Sequence, residues 1–117
     1  MEYSPITVAE TVTFQRKSVR LLSEPERSEL IAYLSVRPHA GVLIKGTGGI
    51  RKLRWARAGR GKRGGLRVIY YFHSDEMPLY LLSLFGKNEK ANLSMEEKAV
   101  LSRLVRELSQ HWRWKNE

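Results

Sequence analysis

The stretch Leu66-Arg67-Val68-Ile69-Tyr70-Tyr71-Phe72 decides how this chain folds. Its residues alternate, so that Leu66, Val68, Tyr70 and Phe72 fall on one side of an extended strand and Arg67, Ile69 and Tyr71 on the other. Upstream, Ile50-Arg51-Lys52-Leu53-Arg54-Trp55 keeps the same period, with Leu53 and Trp55 on one face and Lys52 and Arg54 on the other. Downstream, Ser74 to Pro78 reads as a hairpin turn, and Leu79 to Phe85 is a nearly continuous apolar run suited to a central strand. The sheet is therefore expected to be largely antiparallel. It should bury one apolar face against helices and present Lys52, Arg54, Arg67 and Tyr71 together on the other.

Outside this sheet the period changes to that of helices. Ser94-Met95-Glu96-Glu97 is a capping box, and Leu101, Leu104, Val105, Leu108 and Trp112 follow it as one apolar stripe, which predicts a C-terminal helix packed on the sheet. Ser23-Glu24-Pro25-Glu26 opens a second helix from about Glu24 to Val36, stopped where Arg37 meets Pro38. A weaker pattern over Thr11 to Leu22 suggests an earlier helix with Phe14 and Leu21 or Leu22 inside, and Pro5 to Ala9 reads as a short strand. The fold class is α+β: a small, mostly antiparallel twisted sheet with N-terminal helices and a C-terminal helix packed on it.

With 117 residues, 42% of them hydrophobic, the chain suits one domain over 1–117. It has no apolar run of membrane-spanning length, and charged residues occupy its first turns, so neither a span nor a signal peptide fits and a cytoplasmic location is expected. No cysteine is present, and three scattered histidines cannot close a zinc site, so no metal or cofactor is implied. The net charge is +9, but its placement is uneven: between Leu30 and Ser74 there are ten Lys or Arg and no acidic residue. An uninterrupted basic block in an otherwise balanced chain suggests a surface for a polyanion, with nucleic acid first.

The glycine-rich stretches do not make a nucleotide loop, since neither Gly46 to Gly49 nor Gly59 to Gly65 has the required spacing. A flexible hairpin carrying Arg57, Arg60, Lys62 and Arg63 around a phosphate backbone is the better reading. A DNA-binding repressor fits less well, because the basic residues lie on strands and a hairpin and not on a recognition helix.

Three runs, in order, carry a resemblance. Gly46-Thr47-Gly48-Gly49-Ile50-Arg51-Lys52-Leu53-Arg54, then Gly61 to Tyr71, then Leu81-Leu82-Ser83-Leu84-Phe85-Gly86-Lys87-Asn88-Glu89 closely resemble the RelE/HigB superfamily of bacterial toxins. The HigB branch, with its GKGKRGG-type loop, is the most similar, and the match covers roughly residues 41 to 108. The resemblance implies an mRNA interferase of a type II toxin–antitoxin pair. Such an enzyme cuts mRNA in the ribosomal A site, beside 16S rRNA, by attack of the ribose 2′-OH on the adjacent phosphate without a metal. It also implies a cognate HigA/RelB-like antitoxin and no membrane partner.

By position in the family's motifs, Lys52, Arg54, Arg67 and Lys87 are the candidates for the chemistry. Arg67 would clamp the scissile phosphate, Lys52 or Arg54 would stabilise the charge developing on it, and Lys87 would meet the leaving-group side. Lys52 is also a candidate proton carrier. Arg57, Arg60, Lys62, Arg63 and Tyr71 are the expected RNA contacts. The tyrosine or histidine that relatives place shortly after the Gly-Lys segment has no counterpart in Lys90 to Ser94, which leaves Glu89, Tyr71 and His73 as acid–base candidates. A non-catalytic RNA- or ribosome-binding module of the same fold is the alternative.

Overall fold

The computed structural model describes the backbone of residues 5–56 and 65–115, and side chains as far as 113. Element order is β1 (Val8–Glu10), α1 (Val12–Leu21), α2 (Glu24–Val36), β2 (Val42–Leu43), β3 (Ile50–Trp55), β4 (Leu66–Tyr71), β5 (Leu79–Gly86) and α3 (Met95–Lys115). The strands form one sheet in the order β1-β5-β4-β3-β2. β1 pairs parallel with β5, and the other pairings are antiparallel. The fold is thus α+β with a mostly antiparallel sheet, as the alternation predicts. No helix among the described residues is long and apolar enough to cross a membrane.

The helix starts are chemically explicit. Ser23 Oγ accepts from Glu26 N at 3.2 Å while Glu26 Oε1 accepts from Ser23 N at 2.8 Å, and Ser94 and Glu97 repeat the arrangement at 3.1 and 2.8 Å. Two otherwise orphaned amides are satisfied at each start, a gain of about 1 kcal/mol per cap. Thr11 caps α1 by accepting from Phe14 N at 3.1 Å and also donates toward the Leu81 and Leu82 carbonyls, both at 3.0 Å, fastening the helix start to β5. Arg27 of α2 grips the Glu10 carboxylate of β1, Nε to Oε1 at 2.7 Å with a second contact from its terminal nitrogen.

Both faces of the sheet carry core. On one, Leu53, Leu66, Val68, Tyr70, Leu81 and Leu84 pack with Phe14 of α1 and with Leu30 and Leu34 of α2. On the other, Ile50, Ile69, Tyr71, Leu82 and Phe85 pack with Leu93 and with Val105 of α3. Each leucine that is fully withdrawn from water contributes about 1.5–3 kcal/mol. The expectation that Tyr71 is presented together with Lys52, Arg54 and Arg67 on that face is corrected here, because Tyr71 is buried in the α3-side core. α3 covers the half of that face that is apolar, and only the half rich in Lys and Arg remains available.

A break in register between Ile69 and Tyr70 sets this division. Ile69 pairs with Ser83 but Tyr70 with Leu81, so Leu82 is the extra residue and joins the α3-side core. Ser83 receives a hydrogen bond from Lys17 Nζ of α1 at 3.0 Å. The turn before β3 is built by Thr47, which is buried, donates to Ile44 O at 2.6 Å and accepts from Ile50 N at 3.2 Å. Gly49 there has φ +119°, and a Cβ on it would lie 3.1 Å from the Tyr71 ring.

Candidate nucleic-acid interface

Register decides which cations meet. Arg54 of β3 is directly opposite Arg67 of β4, and Lys52 is opposite Ile69. All three side chains therefore leave the same face of the sheet. Lys87 lies one residue past β5, in the turn that follows, and its amide donates to Gly65 O at 3.0 Å, which sets its backbone beside the start of β4. Lys87 and Arg54 are exposed, and Lys52 and Arg67 are half-buried.

Among the described residues, no carboxylate lies within ion-pair distance of these four cations. The ion pairs are elsewhere: Arg20 with Glu89, Arg27 with Glu10 and Glu24, and Lys90 with Glu97. Like charges directly opposite on an antiparallel pair disfavour the fold, by several tenths of a kcal/mol. A chain that keeps Arg54 facing Arg67 presents a cationic patch suited to an anion supplied from outside. Among the described residues, Arg67 contacts the neighbouring Leu66 O through NH1 at 3.4 Å.

The segment between β5 and α3 closes one side of this cluster, and the sequence reading passed over two of its residues. Asn92 Oδ1 accepts from Lys52 Nζ at 2.8 Å. Lys90 Nζ stands 4.9 Å above the centre of the Phe85 ring and pairs with Glu97. The Lys90 and Ser94 hydrogen bonds hold the Glu97 carboxyl down at about 2. Nothing in the pattern of Lys90-Ala91-Asn92 marks either residue, since a lone amide or ammonium in a loop gains meaning only from what it reaches.

The acid–base candidates fare differently from the cations. Tyr71 is 2% exposed, and its hydroxyl lies 2.8 Å from Ser109 Oγ of α3, so it belongs to the core and not to an RNA-facing surface. His73 follows β4 at the opposite end from Arg67, about 20 Å away along the strand, beside a cavity of ≈ 260 Å³ lined also by Ser109, Trp112 and Arg113. Glu89 accepts from Gly86 N and from Arg20, both at 3.3 Å. Its carboxyl is held below the ordinary carboxylate range, chiefly by the Gly86 amide and then by Arg20.

A Cβ on Gly86 would lie 3.4 Å from Glu89 Oε1, and Gly86 is paired with Leu66, whose side chain enters the α1 and α2 core. Glu89 therefore sits over the side opposite Arg67. Among the described residues, none of the three hydrogen-bonds or pairs with Lys52, Arg54, Arg67 or Lys87. Arg57, Arg60, Lys62 and Arg63 lie outside the described residues. No group of three or more His, Asp or Glu that could hold a metal ion occurs among the described residues.

Two comparisons bear on this arrangement. A family model described as the RelE toxin of the RelE/RelB toxin–antitoxin system matches residues 41–114, a span that includes the whole cation cluster. A solved structure of E. coli toxin RelE, a double arginine-to-alanine mutant in the free state, superposes with a TM-score of 0.54 at 13% identity, covering 74% of this chain and 88% of that one. At that identity the likeness speaks for the fold alone.

Proposed function

Because this chain belongs to the RelE toxin family, and so is a toxin of a toxin–antitoxin system, we propose that it is a ribosome-dependent mRNA endoribonuclease of the HigB-like branch. The observation that carries the reading is the Arg54–Arg67 cross-strand pair, with Lys52 on the same face of β3 and Lys87 just past the adjoining end of β5, and, among the described residues, no carboxylate paired with any of them.

Attack of a ribose 2′-OH on the adjacent phosphate forms the bond from O2′ to phosphorus and breaks the bond to the 5′ oxygen, leaving a 2′,3′-cyclic phosphate and a 5′-OH. The 2′ hydroxyl gives its proton up and the 5′ oxygen takes one, through Lys52 or water, while negative charge builds on the phosphate oxygens and on the departing oxygen. Arg67, with a planar fork of N–H donors, takes two phosphate oxygens at once. Arg54 and Lys52 meet the charge that grows in the pentavalent state, and Lys87 at the end of β5 meets the leaving oxygen. In this reading the ribosome supplies an mRNA already bent and held, which explains why the toxin can be so small. Arg57, Arg60, Lys62 and Arg63 then contact mRNA or 16S rRNA, and a HigA/RelB-like antitoxin neutralises the toxin.

The test compares translating ribosomes with naked RNA, mapping 3′ ends after toxin addition. Cleavage confined to ribosome-bound message supports the proposal, and equal cleavage of free RNA refutes it. Arg67→Ala, with folding verified, is expected to lower the rate by about two to four orders of magnitude. A non-catalytic ribosome-binding module is the second reading, favoured because, among the described residues, none of Glu89, Tyr71 and His73 hydrogen-bonds or pairs with the cluster. It predicts salt-dependent binding without new 3′ ends.

A further inference from the structure

We propose that Asn92 is the positioning residue for Lys52, holding its ammonium at the scissile phosphate while leaving its charge intact. This inference rests on the reading of the cation cluster as the cleavage site.

Lys52 is flanked by like charge, and a flexible four-carbon stem gives it every opportunity to swing into solvent. What restrains it is the Asn92 amide oxygen, 2.8 Å from Nζ and forty residues away in the chain. The restraint is itself anchored on both sides. Before Asn92, the turn after β5 is closed by Glu89 N to Gly86 O at 3.0 Å, and Lys90 is fixed over Phe85 and against Glu97. After it, Leu93 is buried in the α3-side core, and the Ser94–Glu97 capping box starts α3. An exposed side chain on a segment pinned this closely has a fixed aim.

The choice of an amide is chemically specific. A carboxylate at this position would pair with Lys52 and cancel the charge that the transition state needs. An amide oxygen accepts one N–H and leaves two N–H donors and the full positive charge for the phosphate. The geometry is thus that of a group acting through Lys52, without itself needing to touch the reacting atoms.

The experiment is single-turnover cleavage of mRNA on programmed ribosomes, with the rate at saturation and the half-saturating toxin concentration measured separately. Asn92→Ala is expected to lower the saturating rate about tenfold to a hundredfold, the scale of a misplaced reacting group, while half-saturation moves less than about twofold. In a Lys52→Ala background the same substitution should change nothing further. Because Asn92 is exposed and outside the core, the variant should melt like the parent protein.

An unchanged saturating rate for Asn92→Ala overturns the inference, as does an equal additional loss in the Lys52→Ala background. If Lys52→Ala and Arg67→Ala lower the rate while Asn92→Ala is silent, the inference falls and the cleavage site stands. If neither cation substitution lowers the rate, both fall together.

Discussion

Replacing Arg67 by glutamine should make this protein more stable as it makes it inactive. Arg54 and Arg67 are paired residue to residue across β3 and β4, which puts their Cβ atoms about 5 Å apart. With the two guanidinium charges about 6 Å apart in a water-like dielectric, their repulsion is about 0.7 kcal/mol. Against it stands one long contact, from Arg67 to the adjacent Leu66 carbonyl at 3.4 Å. The net gain for Arg67→Gln is then no more than about 0.5 kcal/mol, or about 2 °C in Tm for a chain of this size.

Urea unfolding of four proteins, the parent, Arg54→Gln, Arg67→Gln and the double variant, isolates the pair. Each single change should stabilise, and the double should gain less than the two singles combined, by about the pair repulsion. In 1 M salt, where charges are screened beyond about 3 Å, the differences should largely vanish. The reasoning is refuted if either single variant loses more than about 0.5 kcal/mol, if the two gains simply add, or if they persist in high salt.

Three further outcomes follow from particular contacts. Tyr71→Phe removes the hydroxyl facing Ser109 and should cost about 1 kcal/mol of stability with cleavage unchanged; a tenfold loss of cleavage at unchanged stability would return Tyr71 to the RNA-facing set. Glu97, whose carboxyl titrates at about 2 in the folded chain against an ordinary 4.5, contributes stability that is present above the ordinary value and is lost as pH falls through the folded one. With solvent screening allowed for, the parent should exceed Glu97→Gln by about 1 kcal/mol at neutral pH, and unfolding curves should converge toward pH 2. Gly49→Ala meets both a positive φ and the Tyr71 ring, and should lower stability by about 1–2 kcal/mol in the same unfolding assay.

Much of the architecture could be read directly from period and caps. The helix from Glu24 to Val36 and the strand from Ile50 to Trp55 are found at their expected bounds, because a capping box and strict alternation are local signals. β2, two residues long, has no period to detect, and the parallel seating of β1 beside β5 is a matter of tertiary packing.

The misreading of the basic face has a specific cause. Alternation groups Arg67 with Ile69 and Tyr71 but carries no information on which of the three a helix will cover. With Ile50, Ile69 and Tyr71 form the platform on which Val105 of α3 packs. The grouping of Lys52, Arg54 and Arg67 was legible because parity is inherited along strands. The hold of Asn92 on Lys52 was not, because it spans forty residues and depends on how the turn after β5 is closed.

One strand thus does two unrelated jobs, anchoring at its exit with Tyr71 beneath α3 and presenting Arg67 at its entrance. Disarming the entrance leaves the anchorage untouched. If Arg67 serves the cleavage proposed above, folded but harmless descendants of this gene are a single codon away, and a cell under pressure to survive its own poison need not dismantle the protein to do so.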